Sequence, residues 1–533
     1  MKRFTLFSLI AVLFSGCIEN DIPLPVIYPR ITAIDAEGVS DVYINSERQE
    51  VILTLEEQTD IENVNIRSVS FEDEQTRASW DLTGTHDLSN KLSVTLSIYQ
   101  DYVWTISAEQ SIERYCTVAG QVGATEIDDK NRRVVMYVMD TQDKSDITVT
   151  SLKLGPKDIT TYSPAMEQMK DFTDGQRVEV TAHGRTEVWM LYVEQTETVV
   201  EMKGVDAWTG VAWLRASGIA ELKNGFKYRK QGEAEWIDPS GDKLTIDGGA
   251  FSAAAEPLQP LTTYECYAYS GDNKTETYTF TTEQARQLVN PSFEVFSNAE
   301  SDKYYSFYNP VSSIIEQQTK WWCSGNKGST TVGESYSITN PDANDKMDGR
   351  YSARLESDWV IIKFAAGNIF VGEFVRVVGT SGGVINFGRP FEQRPRMLSL
   401  WLKYKGGIIN RVDRVPDNDP VKEGDPDRCQ VFVAVGDWDY RKYGGTPDCP
   451  VQVNTLEPST YFDPKSEAVI GYGCYVSNKS TDGWIKVEIP IEYVSTSRKP
   501  THIIVSCAAS MLGDYFTGSD QSTLWVDGME LHY

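Results

Sequence analysis

Histidine is almost missing from this chain, with 4 residues in 533. His86, His183, His502 and His532 are scattered, and no His-x-x-x-His, His-x-His or Cys-x-x-Cys spacing occurs. That argues against a zinc site and leaves a Ser-His-Asp triad without support. A Gly-rich phosphate loop is also absent. Positive charge is scarce: Lys and Arg total 50 against 77 Asp and Glu, for a formal charge of −27. No basic block offsets this, so nucleic-acid binding is not expected, because phosphate affinity needs clustered cations. Such an acidic surface repels anions and suits neutral sugars and divalent cations. Cysteine is sparse as well. Of 8 cysteines, those beyond Cys17 form an odd set in a long chain, which is no disulfide framework. Cys429 and Cys449 flank one excursion and are placed to pair. Cys474 and Cys507 sit in apolar strands and read as small core residues.

What is present begins at the N-terminus. Lys2 and Arg3 precede a short apolar run, residues 4–14, and then Ser15-Gly16-Cys17. A basic start, a short apolar stretch and small residues before a cut describe a secretory signal. The run is too short to span about 30 Å of hydrocarbon. Cys17 after Ser-Gly resembles the lipobox of bacterial lipoproteins, which implies lipidation at Cys17 and a mature chain anchored there. Residues 18–28 (IENDIPLPVIY) read as an extended tether. Glu19 and Asp21 resemble the acidic export tag of surface lipoproteins in Bacteroides-type bacteria.

After the tether, strand signals dominate. Segments 51–55 (VILTL), 64–69 (VNIRSV) and 92–98 (LSVTLSI) are rich in β-branched residues, and the latter two alternate apolar and polar. Sustained helical periodicity is nearly absent; 163–169 is a weak candidate helix. An Ig-like sandwich is expected over 29–115 and a second over 116–200, the latter with strands at 133–138 and 187–193. A third unit, 201–285, carries 258–268 (LQPLTTYECYA). Leu-x-Pro-Leu-Thr-x-Tyr ahead of an alternating strand resembles the fibronectin type III corner, in which Tyr264 would bond back to the main chain.

The last region, 286–533, opens with 288–294 (LVNPSFE) and closes with 522–531 (STLWVDGMEL). These ends resemble the first and last strands of jelly-roll carbohydrate-binding modules, where carboxylates often hold a structural calcium. Glu294 and Asp527 are the residues that resemblance points to, since calcium takes oxygen ligands. Between them lie 322–326 (WCSGN), 348–355 (DGRYSARL), 366–374 (AGNIFVGEF), 388–391 (GRPF), 398–405 (LSLWLKYK) and 513–519 (GDYFTGS). The whole series resembles the putative carbohydrate metabolism domain of Bacteroides-type lipoproteins, in which N-terminal sandwiches precede such a domain. The expected fold is therefore all-β: tandem Ig-like and fibronectin III-like sandwiches, then a C-terminal jelly roll.

Sugars offer C–H faces to aromatic rings and hydroxyls to polar side chains. Segment 435–445 (VGDWDYRKYGG) has that composition. Trp438, Tyr440 and Tyr443 are candidate platforms, and Asp437, Asp439 and Arg441 candidate hydrogen-bonding partners. Trp321, Trp322 and Asn326 form a second candidate patch. The blander alternative is that these aromatics cap a core. The long polar loop 406–427 is a candidate flap. A glycan-binding outer-membrane lipoprotein, cell-surface exposed and working beside other surface proteins of a glycan-utilisation system, is the leading expectation. A glycoside hydrolase is the first alternative, with Glu334, Glu356, Glu373, Glu392 and Asp514 as acids that nothing pairs. A structural or adhesive lipoprotein is the second.

Overall fold

The computed structural model describes residues 27–239, 244–331, 337–379, 382–416 and 419–533. Cys17, the signal segment, most of the tether and Glu334 lie outside the described residues. Among the described residues no helix is long and apolar enough to cross a membrane. Strands dominate and helices are single turns. The candidate helix at 163–169 is only a 3-10 turn, Met166–Gln168.

Residues up to Gln110 form one unit. Its three-stranded and five-stranded sheets enclose Ile31, Leu53, Ile66, Leu96 and the fully buried Trp104. The second unit begins at Ser111 and runs to Tyr533. Its first core gathers around Trp189, Phe172 and Met136, and its second around Phe226, Phe251 and Tyr264. Those two sandwiches touch through glycines. Gly123 N–H donates to Gly218 O at 2.9 Å and Gly249 N–H donates to Gly123 O at 3.1 Å. A Cβ on Gly249 would lie 2.2 Å from Gly123 N, so only glycine permits this approach. The expected corner is present: the Gln259 N–H donates to the Tyr264 hydroxyl at 2.9 Å, with Tyr264 buried.

The C-terminal domain is a two-sheet sandwich. One sheet orders Thr339–Asp342, Ser352–Glu356, Thr523–His532, Met397–Lys405 and Ile485–Pro490. The larger one orders Val451–Asn454, Gly382–Phe387, Asn368–Val378, His502–Ala508, Cys429–Gly436, Val469–Ser477 and Glu492–Tyr493. Val431, Val433, Val435, Ile503, Val505 and Cys507 point between the sheets, onto Leu398, Leu400 and Leu402. Their neighbours Phe432, Ala434 and Ile504 point to the other face of the larger sheet. That sheet is therefore apolar on both faces, and its outer face needs a cover of its own.

Several local expectations change. The opening segment 288–294 is not a strand: Asn290 and Phe293 hold φ of 51° and 55°. The Asn290 side chain accepts from Val295 N–H and donates to Val295 O, which closes the chain into a loop whose Phe293 plugs the core. Cys429 and Cys449 are separate free thiols. Cys429 faces the core between the sheets, whereas Cys449 stands near Arg389. Cys474 is exposed rather than buried, because it falls on the outward phase of its strand near the end of the sheet; Cys507 is buried.

The third sandwich and the C-terminal domain are bolted together. Arg394, buried, donates to Thr496 O, Ala207 O and the Glu283 carboxylate, each at 3.0 Å. Its guanidinium lies 5.0 Å from the Trp208 ring, which meets Tyr493 at 4.6 Å. Trp208 Nε1–H donates to Thr496 O at 2.8 Å.

Removing one partner of a buried ion pair costs about 3–5 kcal/mol. Arg394→Ala should accordingly split the unfolding of the third sandwich from that of the C-terminal domain in calorimetry; one unchanged transition would show that the contact does not couple them.

Candidate functional site

The cover on the outer face of the larger sheet is incomplete. Trp438, Phe462 and Ala468 close one part of it. The rest is a cavity of about 670 Å³, within the range typical of small-molecule sites. Phe370, Phe387 and Phe432 make the floor. Residues 360, 362–366 and 511–516 form one wall, which Tyr461 joins through its ring contact with Tyr515, and Phe462 stacks on Phe432. Pro416 and Asp419 bring the long loop 406–427 to the rim, so that loop borders the cavity.

A buried carboxylate fixes this wall. Asp427 is 3% exposed. Its Oδ2 accepts from Ser510 Oγ at 2.6 Å, Ser522 Oγ at 2.7 Å and Ser519 N–H at 2.8 Å. Its Oδ1 accepts from Arg428 N–H. Burial pushes its carboxyl upward and those donors pull it back. The loop and the 510–522 segment are thereby tied at one point.

Between those serines lies 513–519, one of the motifs visible in the sequence. Phe516 holds φ of 55°, a conformation uncommon outside glycine. The Asp514 carbonyl accepts from Tyr461 Oη at 2.5 Å and from the Arg414 guanidinium at 3.3 Å. Asp514 is among the residues lining the cavity. Burial pushes its carboxyl up to about 6, with Arg414 opposing the rise.

The other acids are engaged elsewhere. Glu356 pairs with Arg354 at 2.9 Å, Glu373 accepts from Asn386 at 3.1 Å, and Glu392 pairs with Lys499 at 3.3 Å.

The first candidate patch is not on the cavity. Trp438 is buried in the outer-face core beside Phe462. Asp437 pairs with Arg498 at 2.7 Å. Asp439 caps the turn Tyr440–Tyr443 and pairs with Arg441 at 2.8 Å. Tyr443 Oη bonds to Ser466 Oγ, and Tyr440 is exposed. The physical reason is the doubly apolar strand before them, which takes Trp438 as its lid. In the second patch Trp321 and Trp322 are buried. The Trp322 indole N–H donates to Val289 O at 2.7 Å, and Asn326 both donates to and accepts from Thr339 main chain. Trp322 and Asn326 border a smaller pocket of about 170 Å³ beside Tyr304, Tyr308 and Lys327.

Glu294 and Asp527 answer backbone donors. Glu294 Oε1 accepts from Arg350 N–H and Tyr351 N–H at 2.6 and 2.8 Å. Asp527 Oδ2 accepts from Met347 N–H and Asp348 N–H, both at 2.8 Å. Both carboxylates thus brace the turn 347–351 through backbone donors. Among the described residues no group of three or more His, Cys, Asp or Glu side chains is arranged to hold a metal.

Sequence reading missed the floor and most of the walls. Its signal was the unbroken apolar run at 431–435, which implies cover on both faces, not alternation with solvent.

Among solved structures, a "putative glycoside hydrolase" from Bacteroides thetaiotaomicron is 17% identical, with TM-score 0.30, covering 79% of this chain and 95% of its own. Another so described, from Bacteroides vulgatus, is 19% identical, with TM-score 0.33, covering 45% and 96%. A surface glycan-binding protein from Prevotella bryantii is 9% identical, with TM-score 0.20, covering 78% and 92%. No curated protein matches the chain. Residues 292–532, nearly the whole of the C-terminal sandwich, match the family described as "Putative carbohydrate metabolism domain", which gives the protein a carbohydrate-associated role.

Proposed function

We propose that the protein is a surface lipoprotein, lipidated at Cys17, that captures a glycan in the cavity of its C-terminal domain. The carrying observation is the cavity itself. It is sugar-sized, floored by phenylalanine rings, rimmed by half-buried tyrosines, and built on the carbohydrate-associated domain. Aromatic rings with a polar edge match the amphipathic faces of sugars. The bolted third sandwich makes that domain and its neighbour a stiff head. In this reading the cell-surface partners are a glycan and the proteins that pass it on.

One observation favours a second reading, glycoside hydrolysis. Asp514 and Asp419 line the same cavity, and hydrolysis needs two carboxyl groups across the scissile bond. A carboxyl held near 6 suits a general acid.

A glycan-array screen followed by recovery of the bound sugar separates the two. Intact glycan is the expected result; shortened products would favour the hydrolase. Tyr515→Ala should weaken retention by about tenfold, roughly 1.4 kcal/mol, while Tyr440→Ala, remote from the cavity, should leave it unchanged. The opposite pattern would return the site to the 435–445 segment. Trp438→Ala should cost about 3–5 kcal/mol of stability, as for any buried tryptophan, read as a lower melting temperature. Cys17→Ala should release the protein from the membrane fraction; retention there would sink the anchor.

A further inference from the structure

The charges around the cavity are unevenly matched. Lys363 Nζ pairs with Asp413 at 2.7 Å. Arg428 holds Asp419 through two bonds, at 2.9 and 2.6 Å. Arg414 donates to Thr455 O at 2.6 Å, to Tyr461 Oη at 3.1 Å and to Asp514 O, and its Nε stands 3.8 Å from Asp413. Each of these three cations is therefore already held by a carboxylate, a carbonyl or a hydroxyl. The carboxylate of Asp514 has no hydrogen bond or ion pair among the described residues, although its own carbonyl is clamped twice.

The segment that carries it has no slack. A Cβ on Gly513 would lie 2.5 Å from the Ala366 Cβ, and one on Gly518 would lie 2.7 Å from the Phe364 ring. Phe516 between them is held in the left-handed region, under the Lys363 ammonium at 4.5 Å. A fixed backbone thus places Asp514, whose carboxylate has no partner among the described residues, in the lining of an aromatic cavity.

We infer that Asp514 sets the specificity of this cavity: its carboxylate accepts the hydroxyl protons of a neutral sugar and turns anionic sugars away. This rests on the glycan reading of the cavity above. A carboxylate offers lone pairs to two hydroxyls at once, and such charge-assisted bonds are the strong ones. A uronic acid or sulfated sugar would bring a like charge into the cavity, where Lys363, Arg414 and Arg428 are already held by other groups. The chain's formal charge of −27 acts in the same direction at longer range.

The side chain also makes recognition sensitive to pH. Burial raises the Asp514 carboxyl to about 6 against the opposing charge of Arg414, and the other charged or phenolic groups of the lining are Lys363 with its partner Asp413, Asp419 with its partner Arg428, Tyr461 and Tyr515. Above about 6 the carboxylate accepts two hydroxyls; below it, the proton removes part of that capacity. Its folded value lies above its unfolded one, so the native state takes up the proton first. Stability from this group therefore falls as pH rises between about 4 and 6.

The test uses the full chain against three glycan sets: neutral, uronate- or sulfate-bearing, and amino-sugar-bearing. Wild type should retain the neutral set, more weakly at pH 5 than at pH 7. Asp514→Ala should weaken retention by about ten- to a hundredfold. Asp514→Asn should lose the pH dependence, admit anionic glycans, and melt no lower than wild type at pH 7, since a desolvated charge is gone. Neutral binding indifferent to both substitutions overturns the inference and leaves the glycan reading intact. So does a wild-type preference for anionic or amino sugars, or an Asn variant that melts much lower. If wild type retains none of the three sets, the glycan reading fails and takes this inference with it.

Discussion

A β-sheet that is apolar on both faces has to be covered twice, and the C-terminal domain follows from that constraint. Val431, Val433 and Val435 face the five-stranded sheet, while Phe432 and Ala434 face away from it. The first face is sealed in the ordinary way, by leucines of the strand Met397–Lys405. On the second face the described residues add only a two-stranded hairpin, Asp358–Val360 with Lys363–Ala365. That hairpin, loops and short turns do the covering, and they leave a gap over Phe370, Phe387 and Phe432. The cavity is what remains when irregular segments cover a flat apolar surface. Its walls are adjustable by loop sequence without disturbing the core between the sheets, which is how one scaffold can carry different binding sites.

Irregular walls need fixing, and buried polar groups do it here. Asp427 gathers Ser510, Ser519 and Ser522 around one carboxylate, so the loop entering the strand Cys429–Gly436 and the segment carrying Asp514 are anchored together. Arg394 does similar work at the junction with the third sandwich, where it bridges main-chain carbonyls of both parts and the Glu283 carboxylate. In each case an ionised group with several partners fixes geometry that apolar packing alone would leave loose. The same logic accounts for Glu294 and Asp527. Their pairs of N–H donors shape the turn before the strand Ser352–Glu356, where Gly349 holds a φ of 63° that L side chains rarely adopt.

The strand-rich character and the tyrosine corner at Tyr264 are written in local pattern. Period-two alternation, turn residues and a Leu-x-Pro-Leu-Thr-x-Tyr run depend on neighbours a few positions apart. The acidity that disfavours anionic ligands is likewise a property of composition. Trp438, in contrast, looks the same in sequence whether it stacks on a sugar or lids a core. Its burial depends on Phe462 and Ala468, which reach it only through the fold. Cys474 and Cys507 look equivalent until the phase of each strand against the sheet is known.

Local chemistry thus determined the elements and the sign of the surface; the tertiary structure decided which side chains share a space. Asp514 stands out among the acids of the chain because Arg414, Tyr461 and the phenylalanine floor converge on its segment from positions far away in sequence. Charge and hydrophobicity belong to a residue, but desolvation and an unmatched carboxylate belong to its surroundings, and only the packed domain creates those.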